Sequence, residues 1–328
     1  VSFWNYYPEE AAGLQDLKTV ARELLRTNMA LKPGETLLVV TDTATSTIGE
    51  VIFQAGEESG ALATLIKMPP TDRPGAEPPP PVAAAMARAQ VVICPTRNSL
   101  THTQARIKAC QAGARVATMP GITEDMFFTG AVAADYDQVA RLATELARLL
   151  TEARTAVLVK EGLELQLSLA GRRGIASTGL YRRPGEAGNL PSGEAYIAPL
   201  EGSAEGETII DGSVAGIGRL RSPVRVTIRQ GILTAAQGPE GQRLLELLGS
   251  APEARNVAEL GLGTNDRARV SGNILEDEKV YGTVHLAFGN NTTFGGTVRA
   301  GVHIDGVIMA PDLYLDGKLV VSQGKLIV

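Results

Sequence analysis

Histidine, cysteine, aromatic residues and positive charge are all scarce in this chain of 328 residues. Aromatics make up 4% and there is one Trp, so stacking platforms for single-stranded nucleic acid have little to be built from. The 31 Lys and Arg are outnumbered by 36 Asp and Glu, and the resulting net charge of -5 argues against a phosphate-backbone partner. No apolar run has the length of a membrane span. The opening Val1-Ser2-Phe3-Trp4-Asn5 leads into acids and not into the apolar core of a signal peptide. Cys94 and Cys110 make neither a disulfide framework nor a CxxC pair, and both read as small buried apolar residues. Together these absences describe a cytoplasmic protein with no nucleic-acid and no membrane partner.

What is present divides in two. Residues 10–30 carry Leu14, Leu17, Ala21, Leu24 and Leu25 on one helical stripe. Strand-like runs at Thr36–Thr41, Ala63–Lys67, Val91–Cys94 and Arg115–Thr118 then alternate with helical stretches, ending in a long amphipathic helix over Asp135–Glu152. That alternation predicts a parallel α/β sheet. No GxGxxG follows the first strand, so a dinucleotide site has no support. Prolines crowd Met68–Pro81, which reads as an extended loop. After about residue 153 the texture changes to short strands separated by glycines and turns, including Ala156–Val159, Leu163–Leu169, Gly206–Asp211, Val224–Arg229 and Lys279–Phe288. The expected architecture is an α/β domain over 1–153 followed by a β-rich α+β domain over 154–328.

Two of the three histidines fall close together in the second half, in Val284-His285-Leu286 and Val302-His303-Ile304-Asp305. Along a strand side chains alternate with period two, so His303 and Asp305 point to one face. Imidazole with carboxylate is the ligand chemistry of a zinc-type hydrolytic site or a non-haem iron site. Glu194 and Glu259 stand in Gly-rich segments, Pro191-Ser192-Gly193-Glu194 and Glu259-Leu260-Gly261-Leu262-Gly263-Thr264-Asn265, where small residues let backbones approach a shared site. Both segments read as turns with embedded acids. An unpaired carboxylate among Val257 and Leu260 is costly, so Glu259 is expected to be paired or metal-bound. Glu276-Asp277-Glu278 reads as a solvated acidic turn, with Glu278 near enough to His285 to orient it. Arg172-Arg173 reads as solvated loop charge. His102, between Thr101 and Thr103 at a helix start, is a candidate substrate contact if it is not simply exposed beside a capping threonine.

In these segments the chain resembles the thermophilic metallo-aminopeptidase family. The resemblance runs from Leu31-Lys32-Pro33-Gly34-Glu35 through Ser99-Leu100-Thr101-His102-Thr103 and Met119-Pro120-Gly121 to the two acidic and two histidine motifs. It implies a two-domain metalloprotease that hydrolyses the N-terminal peptide bond of a small peptide. It further implies Glu194, Glu259, His285, His303 and Asp305 as metal ligands, Glu259 as the bridging catalytic carboxylate, and a homodimer. Two ions of Zn, Co or Mn per chain, about 3.5–4 Å apart, would activate a water. One departure is visible: the stretch Asn290-Asn291-Thr292-Thr293-Phe294-Gly295-Gly296 lacks the tyrosine the family carries after its first histidine motif.

The chain is also similar to 2,5-dihydroxypyridine 5,6-dioxygenase, a ring-cleaving iron enzyme. That resemblance implies His285, His303 and Asp305 as a facial triad for Fe(II) and a small aromatic substrate. A binding protein that keeps the fold without turnover is the third reading. Hydrolysis is the first expectation and ring cleavage the second.

Overall fold

The computed structural model describes residues 18–328. Leu14 and Leu17 lie outside the described residues. From Lys18 the chain is helical to Asn28, and Ala21, Leu24 and Leu25 are buried as their stripe predicts.

The strands run in chain order as β1 (Thr36–Asp42), β2 (Leu62–Met68), β3 (Val91–Thr96), β4 (Arg115–Pro120), β5 (Thr155–Lys160), β6 (Leu163–Ser168), β7 (Ile175–Ser177), β8 (Ala187–Asn189), β9 (Glu194–Ile197), β10 (Glu205–Ile210), β11 (Ser213–Val214), β12 (Gly218–Arg219), β13 (Val224–Arg229), β14 (Ile232–Ala236), β15 (Val257–Gly263), β16 (Val284–Gly289), β17 (His303–Ile308), β18 (Asp312–Leu315), β19 (Lys318–Ser322) and β20 (Lys325–Leu326). They build three sheets within two compact units.

The first unit holds the chain up to Tyr136 together with Gly179–Pro191. Its sheet has the order β2-β1-β3-β4-β8 and is parallel throughout. β1, β3 and β4 are buried along nearly their whole length, which explains why they read as continuous apolar runs. β2 is an edge strand, in which Met68 alone is buried. Pro80 and Pro81 open the helix Pro80–Met86, so the proline-rich loop ends two residues earlier than expected.

The second unit comprises Asp137–Thr178 and Ser192–Val328. The chain therefore passes between units at three places, where the sequence suggested one crossing near residue 153. Two packing facts account for this. The helix Tyr136–Glu152 places Leu146, Ala147 and Leu150 in the second unit's core, and β8 returns to the first unit to pair with β4.

Two sheets make up the second unit, in the orders β14-β13-β10-β6-β5-β18-β19-β20 and β12-β11-β17-β16-β15-β9-β7. A single apolar core takes Leu158, Leu165, Val226 and Ile228 from the first of these, and Leu260, Leu262, Leu286 and Phe288 from the second. Asp316-Gly317 turns the β18–β19 hairpin, as expected. No helix among the described residues is long and apolar enough to cross a membrane.

Phe288 is fully buried in this core. Its replacement by alanine is expected to destabilise the protein by about 3–5 kcal/mol in urea denaturation, and a loss below about 1 kcal/mol would contradict the core assignment.

Candidate metal centre

The site is built by alternation on one sheet. Along β15, Leu260 and Leu262 point into the core, so Glu259, Gly261 and Gly263 point to the opposite face. Residues directly opposite in neighbouring strands share that face. His285 pairs with Gly261, Ala287 with both Glu259 and Asp305, Gly289 with His303, Tyr196 with Gly261, and Glu194 with Gly263. Glu194, Tyr196, Glu259, His285, His303 and Asp305 therefore stand on one surface. Gly261, Gly263, Ala287 and Gly289 form a floor of small residues beneath them.

Two local features make this possible. A β-bulge between Val257 and Glu259 breaks the alternation. Val257 stays in the core while Glu259 turns to the other face, the re-aiming that a bulge provides. At Gly261 the His285 ring lies directly on the backbone: a Cβ there would sit 2.0 Å from His285 Nε2. Only glycine leaves room for the ring. The segment 257–263, expected as Gly-rich turns, is thus a fully buried strand whose glycines make space for a neighbour's imidazole. Gly306 does the same on the core face, where a Cβ would meet Ile210 at 2.7 Å.

The polar atoms converge. His285 Nε2 lies 3.2 Å from Glu259 Oε1 and 3.5 Å from Glu194 Oε2. His303 Nε2 lies 3.5 Å from Glu259 Oε2 and 3.4 Å from Asp305 Oδ1. Ligand atoms of Glu259, His285 and Asp305 all fall within 4.8 Å of one another, as do those of Glu194, Glu278 and His285. His285 is wholly buried, whereas 31% of the His303 side chain is exposed, so the site opens on the His303 side.

The imidazole of His303 is oriented from behind. Its Nδ1 donates to the Asn290 carbonyl at 2.8 Å, which leaves Nε2 facing the carboxylates. His285 Nδ1 has no hydrogen-bond partner among the described residues, so that ring is set by its Nε2 contacts and by the Gly261 floor. Two inward nitrogens with Asp305 and Glu259 fit the N/O donor chemistry of a first-row divalent ion.

Electrostatics bind the cluster together. Burial alone would lower the His285 pKa, but its hydrogen bond to Glu259 and the charges of Glu194, Glu259 and Glu278 raise it to about 9. Burial likewise opposes protonation of His303, and Asp305 and Glu259 override it to about 10. Asp305 is raised by burial and pulled down further by His303, to about 2. Burial pushes Glu278 up to about 8 against the pull of Lys279.

Lys279 and Tyr196 escaped the sequence reading as site residues. Lys279 is buried, with Nζ 2.7 Å from Glu194 Oε1 and in contact with Glu278. Glu276 and Asp277 are also buried, which corrects the solvated turn expected there. Asp277 accepts from the backbone N–H groups of Ser271 and Gly272. Phe294, within the stretch that lacks a tyrosine, stands edge-on to His303 with centroids 5.8 Å apart, and Tyr196 stands edge-on to Phe294 at 5.6 Å. Arg172 is no solvated charge. It pairs with Glu201 and donates to the Gly295 carbonyl, while Glu201 accepts from Asn291 Nδ2 and Thr297 N, fastening the loop that carries Phe294. His102 belongs to the first unit and is exposed, and Thr103 beside it caps the helix Gln104–Gln111 by accepting from Arg106 N.

A family described as 2,5-dihydroxypyridine 5,6-dioxygenase matches residues 16–328. The chain belongs to that family. The 2,5-dihydroxypyridine 5,6-dioxygenase of Pseudomonas putida KT2440 is 28% identical over 197 residues, 55% of this chain and 56% of that protein, so the chain spans little more than half of that relative's length in the match. The solved structure of 2,5-dihydroxypyridine dioxygenase from the same organism aligns with a TM-score of 0.78, 20% identity and 97% coverage of both chains. AmpT from Thermus thermophilus aligns with a TM-score of 0.71, 18% identity and coverage of 96% of this chain and 99% of that one. Both likenesses show the fold. Membership of the dioxygenase family favours the second expectation drawn from the sequence over the first.

Two outcomes are expected. Gly261→Ala should displace His285 and weaken divalent-cation binding by about 10–100-fold, since small errors in ligand orientation cost that much; an unchanged isotherm would refute the floor. Cation loading at pH 8 should expel about two protons, because both imidazoles must give up their protons to become ligands. Titration calorimetry in buffers of different ionisation heat reads this directly, and a buffer-independent heat would exclude it.

Proposed function

We propose that this protein is a mononuclear Fe(II) dioxygenase that cleaves the ring of a dihydroxylated aromatic or heteroaromatic compound of the dihydroxypyridine type. The observation that carries the reading is the family match over nearly the whole chain together with two imidazoles and a carboxylate on one sheet face. His285, His303 and Asp305 are the proposed ligands, the two-histidine, one-carboxylate set of non-haem Fe(II) oxygenases. The ion, when bound, supplies the redox centre through which dioxygen reacts with the ring.

The chain's own residues would do the rest. Asn290 holds His303 by its Nδ1–H, and Gly261 seats His285. Phe294 and Tyr196 supply an aromatic wall beside His303, suited to a flat ring. Glu259 touches both imidazoles, and burial raises its carboxyl above the ordinary range. It is therefore placed to take a proton from a substrate hydroxyl and return it later.

The aminopeptidase reading has less behind it. It rests on fold likeness to AmpT at 18% identity, and Glu194, which it would use as a ligand, is paired with Lys279.

Anaerobically purified protein loaded with Fe(II) and given 2,5-dihydroxypyridine should consume dioxygen. His303→Ala and Asp305→Ala should each lose iron and oxygen uptake by more than the ~10–100-fold that loss of an orienting neighbour costs. Release of amino acids from peptides by Zn- or Co-loaded protein, with no oxygen uptake under Fe(II), would overturn the proposal in favour of hydrolysis.

A further inference from the structure

We infer that Lys279 is a built-in cation that fills the second ion position of this centre and so restricts the chain to a single divalent ion. The inference rests on the metal-binding reading proposed above and adds a residue that fixes how many ions are held.

Among the described residues two groups of side chains are close enough to hold a cation: Glu259, His285 and Asp305 in one, Glu194, Glu278 and His285 in the other. They share His285, so the two positions are neighbours, the arrangement in which paired ions act on one substrate. They differ in what already occupies them. In the first, the ion pairs of Glu259 and Asp305 among the described residues are with histidines, which become neutral ligands by losing a proton. In the second, the Lys279 ammonium lies 2.7 Å from Glu194 Oε1 and also touches Glu278. Two of the three candidate ligands are therefore already spent on an ammonium.

That ammonium is not easily displaced. The Lys279 side chain is 2% exposed, so it has no water to retreat to. Its main chain is pinned as well: Lys279 N donates to the Glu276 carbonyl, and Asn265 N donates to the Lys279 carbonyl. Asn265 Nδ2 in turn donates to the Ser192 carbonyl, two residues ahead of Glu194. The lysine and its carboxylate partner are thus held by one brace. A second divalent ion would have to enter beside a buried positive charge, and repulsion in a poorly solvated site is severe. A compact ammonium with three donors can satisfy both carboxylates in the ion's place.

The consequence is chemical. A lone ion with open positions suits oxygen activation, whereas activating a bridging water for hydrolysis needs the pair. Lys279 thereby removes the two-ion form of hydrolysis from the chemistries that this sheet face could host.

The test is a cation count under anaerobic dialysis against Co(II) and, separately, Fe(II), for the wild-type chain, Lys279→Met, Lys279→Gln and the double variant Glu194→Gln/Lys279→Met. Circular dichroism establishes that each is folded. About one equivalent is expected for wild type, about two for the folded single variants, and about one again for the double variant, which lacks a ligand for the second ion. Manganese soaks should show one anomalous peak in wild-type crystals and a second, at the vacated Nζ position, in Lys279→Gln. Two equivalents in the wild type would overturn the inference while leaving metal binding intact. So would a folded Lys279→Gln that still takes one. No bound ion in any of the proteins would sink the proposed function itself and the inference with it.

Discussion

Everything at the centre depends on the alternation of side chains across β9, β15, β16 and β17. One face of those strands supplies Leu260, Leu262, Leu286 and Phe288 to the core, and the other supplies Glu194, Glu259, His285, His303 and Asp305. Removing so many charges from water costs several kcal/mol per ion. The apolar face of the same strands offsets that cost, because core burial holds the strands in register whether or not the polar face is satisfied. A slip of one residue would send carboxylates into the core, so the register is doubly specified. The bulge before Glu259 shows how tightly this is drawn: without it, Val257 and Glu259 would share a face.

Satisfaction of the polar face is collective. Each imidazole is flanked by two carboxylates, and the acids of the inner end are met by Lys279. Burial pushes Lys279, His285, His303 and Asp305 toward their neutral forms, and their neighbours push them back. Such a set is stable only when complete, which is why the small floor residues matter as much as the charged ones. Gly261 contributes no contact energy of its own, yet it decides where His285 can lie.

The sequence displayed the parts of this that follow period and composition. Parallel strands in the first half, the β-rich second half and the His303/Asp305 pair all come from alternation and chemistry along a single segment. The five carboxylate and histidine positions were legible through the family resemblance, and the structure brings them together, whereas His102 lies in the other unit. What stayed hidden depends on contacts between distant segments. β15 reads as a loop because glycine disfavours strands, and the reason for its glycines is a ring on β16. Lys279 sits in an acidic run that looks solvated, since nothing nearby announces that Glu194, 85 residues earlier, is its partner. The return of β8 to the first sheet is invisible for the same reason: three residues with no strand-like pattern are recruited by the exposed edge of β4.

One fold, likened here to both a ring-cleaving dioxygenase and AmpT, leaves the choice of chemistry to side chains on a single sheet face. On that face the histidines and acids are compatible with either chemistry, because N/O donors of this kind accept several first-row ions. The discriminating groups are those that do not bind metal. Phe294 presents a bare ring edge-on to His303. Lys279 sets a tethered cation against Glu194. Under the proposed reading both groups act in the same direction, away from a water held by a pair of ions and toward a flat substrate beside one. Reading function from this fold therefore means reading the neighbours of the ligands before the ligands themselves.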